Sequence, residues 1–116
     1  MIMKLINPHD AQTIAENVEI AGSLVKRLVG LIGRHDFADG QAFIIPGCRQ
    51  VHTFFMRFPI DVVFVDKNYK VLRTSESIKP YSTSCYCFKA VHAVELPAGT
   101  VASHKISLGS DLLLTG

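Results

Sequence analysis

Charge is scarce in this chain. Only 19% of its 116 residues are Asp, Glu, Lys or Arg, against 48% that are hydrophobic. That balance excludes an intrinsically disordered segment. The net charge is weak as well, a formal +2. Basic residues are scattered, with Lys26 and Arg27 the only adjacent pair, so the clustered basic face of a nucleic-acid binder is missing. Long apolar runs are absent too. The longest, residues 60–65, is interrupted by Asp61 and falls far short of the roughly 20 residues of a membrane helix. The opening MIMKLINPHDAQTI has no long apolar h-region and no small-residue cleavage site, so it reads as mature protein. Three cysteines are an odd count, which fits reduced thiols and a cytoplasmic location better than a disulfide framework. No G-x-S-x-G elbow, Walker-type loop or G-x-G-x-x-G occurs, which disfavours serine-nucleophile chemistry and phosphate cradling. With no repeat or low-complexity linker, residues 1–116 read as a single domain large enough for a real core.

What is present is mostly strand. Residues 1–7 suit an edge strand ended by Pro8, and residues 13–21 a half-buried strand or hairpin. A helix is expected over residues 23–32. Ser23 would cap it, Leu24, Leu28 and Leu31 would form its apolar stripe, and Gly33 would close it. Strands are expected at 41–45, 60–65, 70–77, 90–96 and 111–114. The second of these is rich in β-branched residues, apolar on both faces and therefore central. Residues 66–69 should turn the chain into a hairpin, and 98–104 is either a short helix or a loop. The expected class is α+β, mainly β: an antiparallel sheet curled into a partial barrel, with one clear helix and possible room for a second.

The stretch HTFFMRFPIDVVFVD, residues 52–66, carries the most chemistry. Its apolar character predicts core, yet His52, Arg57 and Asp61 sit inside it, and buried polar groups need partners. Taken with GSLVKRLVGLIGR (22–34), AVELPAG (93–99) and LGSD (108–111), this stretch resembles the domain of unknown function 192 family over about residues 22–114. The resemblance implies a small β-rich single domain and no established biochemical activity. The matching positions are Arg27, Gly30, Leu31 and Arg34; then His52, Thr53, Met56, Pro59, Ile60, Asp61, Phe64 and Asp66; then Glu95, Gly99, Gly109 and Asp111. Where many relatives carry a bulky aromatic and an arginine after the Lys-Pro equivalent, this chain has Tyr81 and Ser82 after Pro80.

Asp61 should share a strand face with Val63 and Val65 and be at least partly buried. It is then either a ligand-binding or proton-transferring acid, or a latch that accepts backbone N–H groups from the bend at Phe58-Pro59; the latch is favoured. Glu95 shares a face with Val91 and Ala93 and should pair with an arginine, with Arg34, Arg57 and Arg27 as candidates. In an extended segment, His52, Phe54, Met56 and Phe58 would line one face, and Thr53, Phe55 and Arg57 the other. Cys48, Cys85, Cys87 and His52 are the conceivable zinc set, but their spacing is not that of a zinc ribbon, so no metal and no cofactor is expected.

The leading expectation is a non-catalytic module binding a small molecule or a protein, with no nucleic acid and no membrane as partner. Its groove lies around residues 52–61, with His52, Thr53, Met56, Arg57 and Asp61 as ligand-binding candidates and Arg34 and Glu95 at its flanks. The alternative is a small enzyme using Asp61 and Glu95 as paired carboxylates, with His52 as a third participant. A third class is an accessory protein acting through an exposed strand edge.

Overall fold

The computed structural model describes residues 3–21 and 37–116. The helix expected over 23–32, and with it Arg27 and Arg34, lies outside the described residues. Seven strands follow in chain order: β1 (Met3–Asn7), β2 (Gln12–Ile20), β3 (Gln41–Pro46), β4 (Ile60–Val65), β5 (Val71–Ile78), β6 (His92–Pro97) and β7 (Leu113–Thr115). A single helical turn, α1 (Thr100–Ser103), sits between β6 and β7.

These strands form one sheet in the order β5-β4-β6-β3-β2-β1-β7. All neighbours are antiparallel except β2 and β3, which run parallel with Val18 opposite Ala42. β4 is interior, as its β-branched, doubly apolar sequence requires: β5 and β6 flank it, and all six of its residues are buried. β1 is not the edge that its Pro8 terminus suggested. The short β7 pairs along its outer side, with Leu5 opposite Leu114, and takes the edge instead.

The two ends of the sheet approach each other. Lys70 bridges Asp111, the Val71 N–H donates to the Ser110 carbonyl at 2.8 Å, and the Leu112 N–H donates to the Tyr69 carbonyl at 3.0 Å. The sheet is thus a half-barrel pinned at one end, which removes part of the edge that open sheets leave exposed.

Strand alternation divides the core between the two faces. The enclosed face carries Leu5, Val18, Ile44, Val63, Val65, Val94 and Leu96, and Val101 of α1 packs into it. On the other face lie Phe43, Ile45, Ile60, Val62, Phe64 and Ala93, covered by Val51, Met56 and Cys87 from the loops before β4 and β6. Those two loops position the outer surface of the molecule.

Candidate interaction surface

Asp61 is on the enclosed face beside Leu96 and is 0% exposed. Its Oδ1 accepts from the Ser77 N–H at 2.8 Å, and its Oδ2 from the Gly99 and Val101 N–H groups at 3.1 and 2.9 Å. The latch expected of this residue is therefore present, but its donors are not at the Phe58-Pro59 bend. They come from the end of β5 and from the start of α1. Gly99 precedes α1 with a left-handed backbone (φ 92) and has no side chain with which to cap it. The Asp61 carboxylate supplies the missing cap from across the sheet, the role that a neighbouring Asp or Ser plays at most helix starts.

Glu95 is also 0% exposed, but it pairs with Phe43 and Val62 on the opposite face. Cross-strand partners point the same way, so Asp61 goes with Leu96 and Glu95 with Val62, one residue out of phase. The sheet itself separates the two carboxylates. The convergence needed for a carboxylate pair is not formed.

Residues 52–58 do not run as an extended strand either. The Met56 N–H donates to the Thr53 carbonyl at 3.2 Å, closing a turn over 53–56. Alternation is lost there. Thr53 and Met56 both turn inward, at 0% and 2% exposure, while Phe54 and Phe55 both turn out. The expected groove face of His52, Phe54, Met56 and Phe58 is therefore not formed; Met56 is core.

Thr53 is a structural knot. Its N–H donates to the Ser82 carbonyl, and its own carbonyl accepts from the Tyr81 N–H, both at 2.9 Å. Its Oγ1 donates to the Lys79 carbonyl at 2.5 Å, lies 3.2 Å from the Ser82 carbonyl, and accepts from the Ser82 N–H at 2.9 Å. Further along, the Ser84 N–H donates to the Val51 carbonyl and the Cys87 N–H to the Arg49 carbonyl, each at 2.8 Å. His52 bridges Thr83, and its ring lies 5.1 Å from that of Phe54. Residues 49–55 and 81–88 therefore form an irregular antiparallel ribbon over the outer core.

That ribbon carries all the exposed aromatics among the described residues: Phe54, Phe55, Tyr81, Tyr86 and Phe88. They are half of the ten Phe and Tyr residues in the chain, a concentration that scattered surface apolars do not produce. Phe55 and Tyr81 are each 64% exposed, and their rings meet nearly edge-on with centroids 5.8 Å apart. Both have left-handed backbones, φ 66 and 59, which costs roughly 1–2 kcal/mol per residue. At the other end, the Arg49 guanidinium lies over the Phe88 ring, 5.5 Å from its centroid.

Positive charge gathers on the ribbon and the residues flanking it. Residues 47–60 and 79–91 contain Arg49, Arg57, Lys79 and Lys89 and no acid. Of twelve basic and ten acidic residues in all, eight basic and ten acidic then remain elsewhere, a net of −2. The weak overall charge conceals a basic side. Sequence reading missed these aromatics because apolar residues default to the interior. For Tyr81, Tyr86 and Phe88 the available signal was their setting in KPYSTSCYCFK, which has cations, no acid and no strand or helix period.

The conceivable zinc ligands go separate ways. Cys87 is buried, Cys48 Sγ donates to the Gln50 carbonyl at 3.1 Å, and Cys85 Sγ accepts from Ser75 Oγ at 3.1 Å. Among the described residues no three His, Cys, Asp or Glu side chains gather as a metal-holding group. No helix among them is long and apolar enough to cross a membrane.

Comparison with known proteins fixes the family. The profile of the uncharacterized ACR family, domain of unknown function 192, matches residues 5–114. The chain belongs to that family. It is 31% identical over 99 residues to UPF0127 protein PH1112 of Pyrococcus horikoshii, covering 82% of this chain and 84% of that one. Two crystal structures share the fold of this domain of unknown function 192 chain. One is a protein of unknown function from Novosphingobium aromaticivorans, with TM-score 0.79 and 17% identity over 96% of this chain and 82% of the other. The second is a proposed transcription regulator from Sinorhizobium meliloti, with TM-score 0.75 and 23% identity over 96% and 90%. The family match agrees with the β-rich single-domain character read from the motifs.

Proposed function

We propose that this domain is a non-catalytic protein-interaction module whose contact surface is the outer side of the 49–58 and 79–89 segments. The observation that carries this reading is the Phe55–Tyr81 pair. Two large aromatics on separate loops are held outward, in contact, on left-handed backbones, over a buried hydrogen-bonded threonine. Strain maintained at an exposed position points to use of that position. Rigid aromatics beside arginine are the composition of interface anchors, because they offer contact area at low cost in side-chain entropy. The separation of Asp61 and Glu95 by the sheet supports this reading over acid/base catalysis. A cytoplasmic location belongs to the same proposal, and it suits the three free thiols.

The test compares the wild type with a Phe55→Ser/Tyr81→Ser double variant. Proteins retained from source-cell extract by the immobilised wild type and not by bare resin are purified and titrated calorimetrically against both forms. A saturable partner weakened at least tenfold by the double variant, about 1.4 kcal/mol, is the expected outcome. A partner bound equally by both forms would remove the aromatic pair from the interface.

A further inference from the structure

The far end of the same ribbon holds a concavity of about 350 Å³ lined by Leu72, Arg73, Tyr86, Cys87, Phe88 and Lys89. Its floor is apolar: Cys87 is buried in the outer core, and Leu72 packs against that core. Tyr86 and Phe88 stand as exposed walls. Both walls are held. Arg73 Nη1 donates to the Tyr86 carbonyl at 3.3 Å, and Arg49 lies over the Phe88 ring. Arg73 and Lys89 are both exposed at the rim, and residues 77–91 contain no acid.

We infer that this slot receives a large apolar side chain from an acidic segment of the partner protein, with neighbouring carboxylates meeting Arg73 and Lys89. The inference rests on the docking role proposed above and gives the partner its chemistry. The volume is at the small end of the roughly 300–1,000 Å³ of ligand pockets, so it suits one anchoring side chain better than a large cofactor. An apolar floor rewards an apolar anchor, and two rim cations reward carboxylates beside it while rejecting a basic segment. A nucleic acid is less suited. The four cations of residues 47–60 and 79–91 are opposed by a net −2 over the rest of the chain, whereas polyanion binding draws on many phosphate contacts at once.

The probe is an acetylated, amidated hexapeptide, Asp-Glu-Phe-Leu-Glu-Asp, titrated into the ¹⁵N-labelled full chain and followed by amide NMR. Two controls replace its acids with Asn and Gln, or its Phe-Leu with Ala-Ala. The expected result is saturable shifts centred on Tyr86, Phe88 and Lys89, with each control binding at least fivefold more weakly. In an Arg73→Glu/Lys89→Glu variant with an otherwise unchanged amide spectrum, a peptide carrying Lys in place of its acids should now bind better than the acidic one. Phe55→Ser should leave hexapeptide binding unchanged, so a failure at the slot and a failure at the aromatic pair read out separately. Equal binding of the uncharged control, absence of saturable shifts at the slot, or loss of hexapeptide binding in Phe55→Ser would each overturn the inference. Tighter binding of 2-naphthoate or of an eight-nucleotide oligodeoxythymidine would overturn it too, in favour of a small-molecule or nucleic-acid site.

Discussion

Removing the Asp61 carboxylate tests how the half-barrel is held together. Asp61→Ala leaves three backbone N–H groups without their acceptor: those of Ser77, Gly99 and Val101. They are not equivalent. Val101 is buried, so its N–H has no water to turn to and incurs close to the full penalty of an unsatisfied buried donor, about 1–3 kcal/mol. Ser77 and Gly99 belong to exposed residues and can recover a hydrogen bond with solvent, leaving only the lost charge-assisted component, about 0.5–1 kcal/mol each. Against this stands the relief of desolvating one carboxylate. The net expectation is a loss of about 2–4 kcal/mol, a large share of the roughly 5–15 kcal/mol that holds a domain folded.

Asp61→Asn should lose less, about 1–2 kcal/mol. Its remaining oxygen can keep the Gly99 and Val101 N–H groups, while its amide nitrogen faces the exposed Ser77 side. Urea unfolding, with the m-value checked for constancy, measures both losses. Native-state hydrogen exchange locates them: protection of the Val101 amide should fall in Asp61→Ala more than that of Val63. Asp61→Ala within about 0.5 kcal/mol of wild type, or unchanged exchange at Val101, would refute the latch and return Asp61 to the functional candidates.

Thr53→Val should cost about 1–3 kcal/mol, since a buried methyl replaces the hydroxyl that joins Lys79 and Ser82, and it should loosen the Phe55–Tyr81 contact seen as ring-current shifts. Phe55→Asn should change stability by less than about 1 kcal/mol. It gives up an exposed ring but relaxes a left-handed backbone that Asn tolerates, whereas Phe64→Ala in the core should cost about 3–5 kcal/mol by the same urea assay. Burial pushes the Tyr69 hydroxyl above its ordinary value of 10.0. The stability tied to the neutral phenol is thus complete below pH 10 and is lost as pH rises through the folded-state value; a late-titrating share of the alkaline tyrosinate absorbance should vanish in Tyr69→Phe. Protein purified without added metal should carry far less than one zinc per chain, and a chelator should leave its thermal midpoint unchanged; stoichiometric zinc lost together with stability would move the site to the cysteines.

Local patterns carried the strands. The IDVVFV run, the DKNY turn and the returning VLRTSESI could be read directly as β4, its turn and β5, because β-branching, alternation and turn chemistry act over a few residues. The short helical turn near 98–104 was legible as an ambiguity, and α1 occupies its middle. The parallel pairing of β2 with β3 was not legible, since pairing partners far apart leave no local mark. Asp61 shows the same limit at a single residue. That a buried acid needs donors was evident, but the donors lie 16, 38 and 40 positions away, so the sequence pointed to the nearest bend instead. Residues 52–58 were misread for a different reason. The alternation rule holds only while the backbone is extended, and the turn closed at Thr53 and Met56 places two consecutive phenylalanines on one side.

The separation of Asp61 from Glu95 depends on the register of one strand pair. With Val62 opposite Glu95, every odd-numbered residue of β4 faces the enclosed core and every odd-numbered residue of β6 faces away from it. A slip of one residue would bring the two acids onto one face, and it would also move Val63 and Val65 out of the enclosed core. The packing that excludes the slip therefore also excludes the carboxylate pair. Two of the motif's acids, Asp61 and Glu95, are buried within the sheet, and Asp61 holds backbone in place. Over residues 47–60 and 79–91 the chemistry facing outward is aromatic and basic, on two segments that Thr53, Ser84 and Arg49 fasten to each other. Under the docking role proposed above, rigid side chains on such loops would do the recognising.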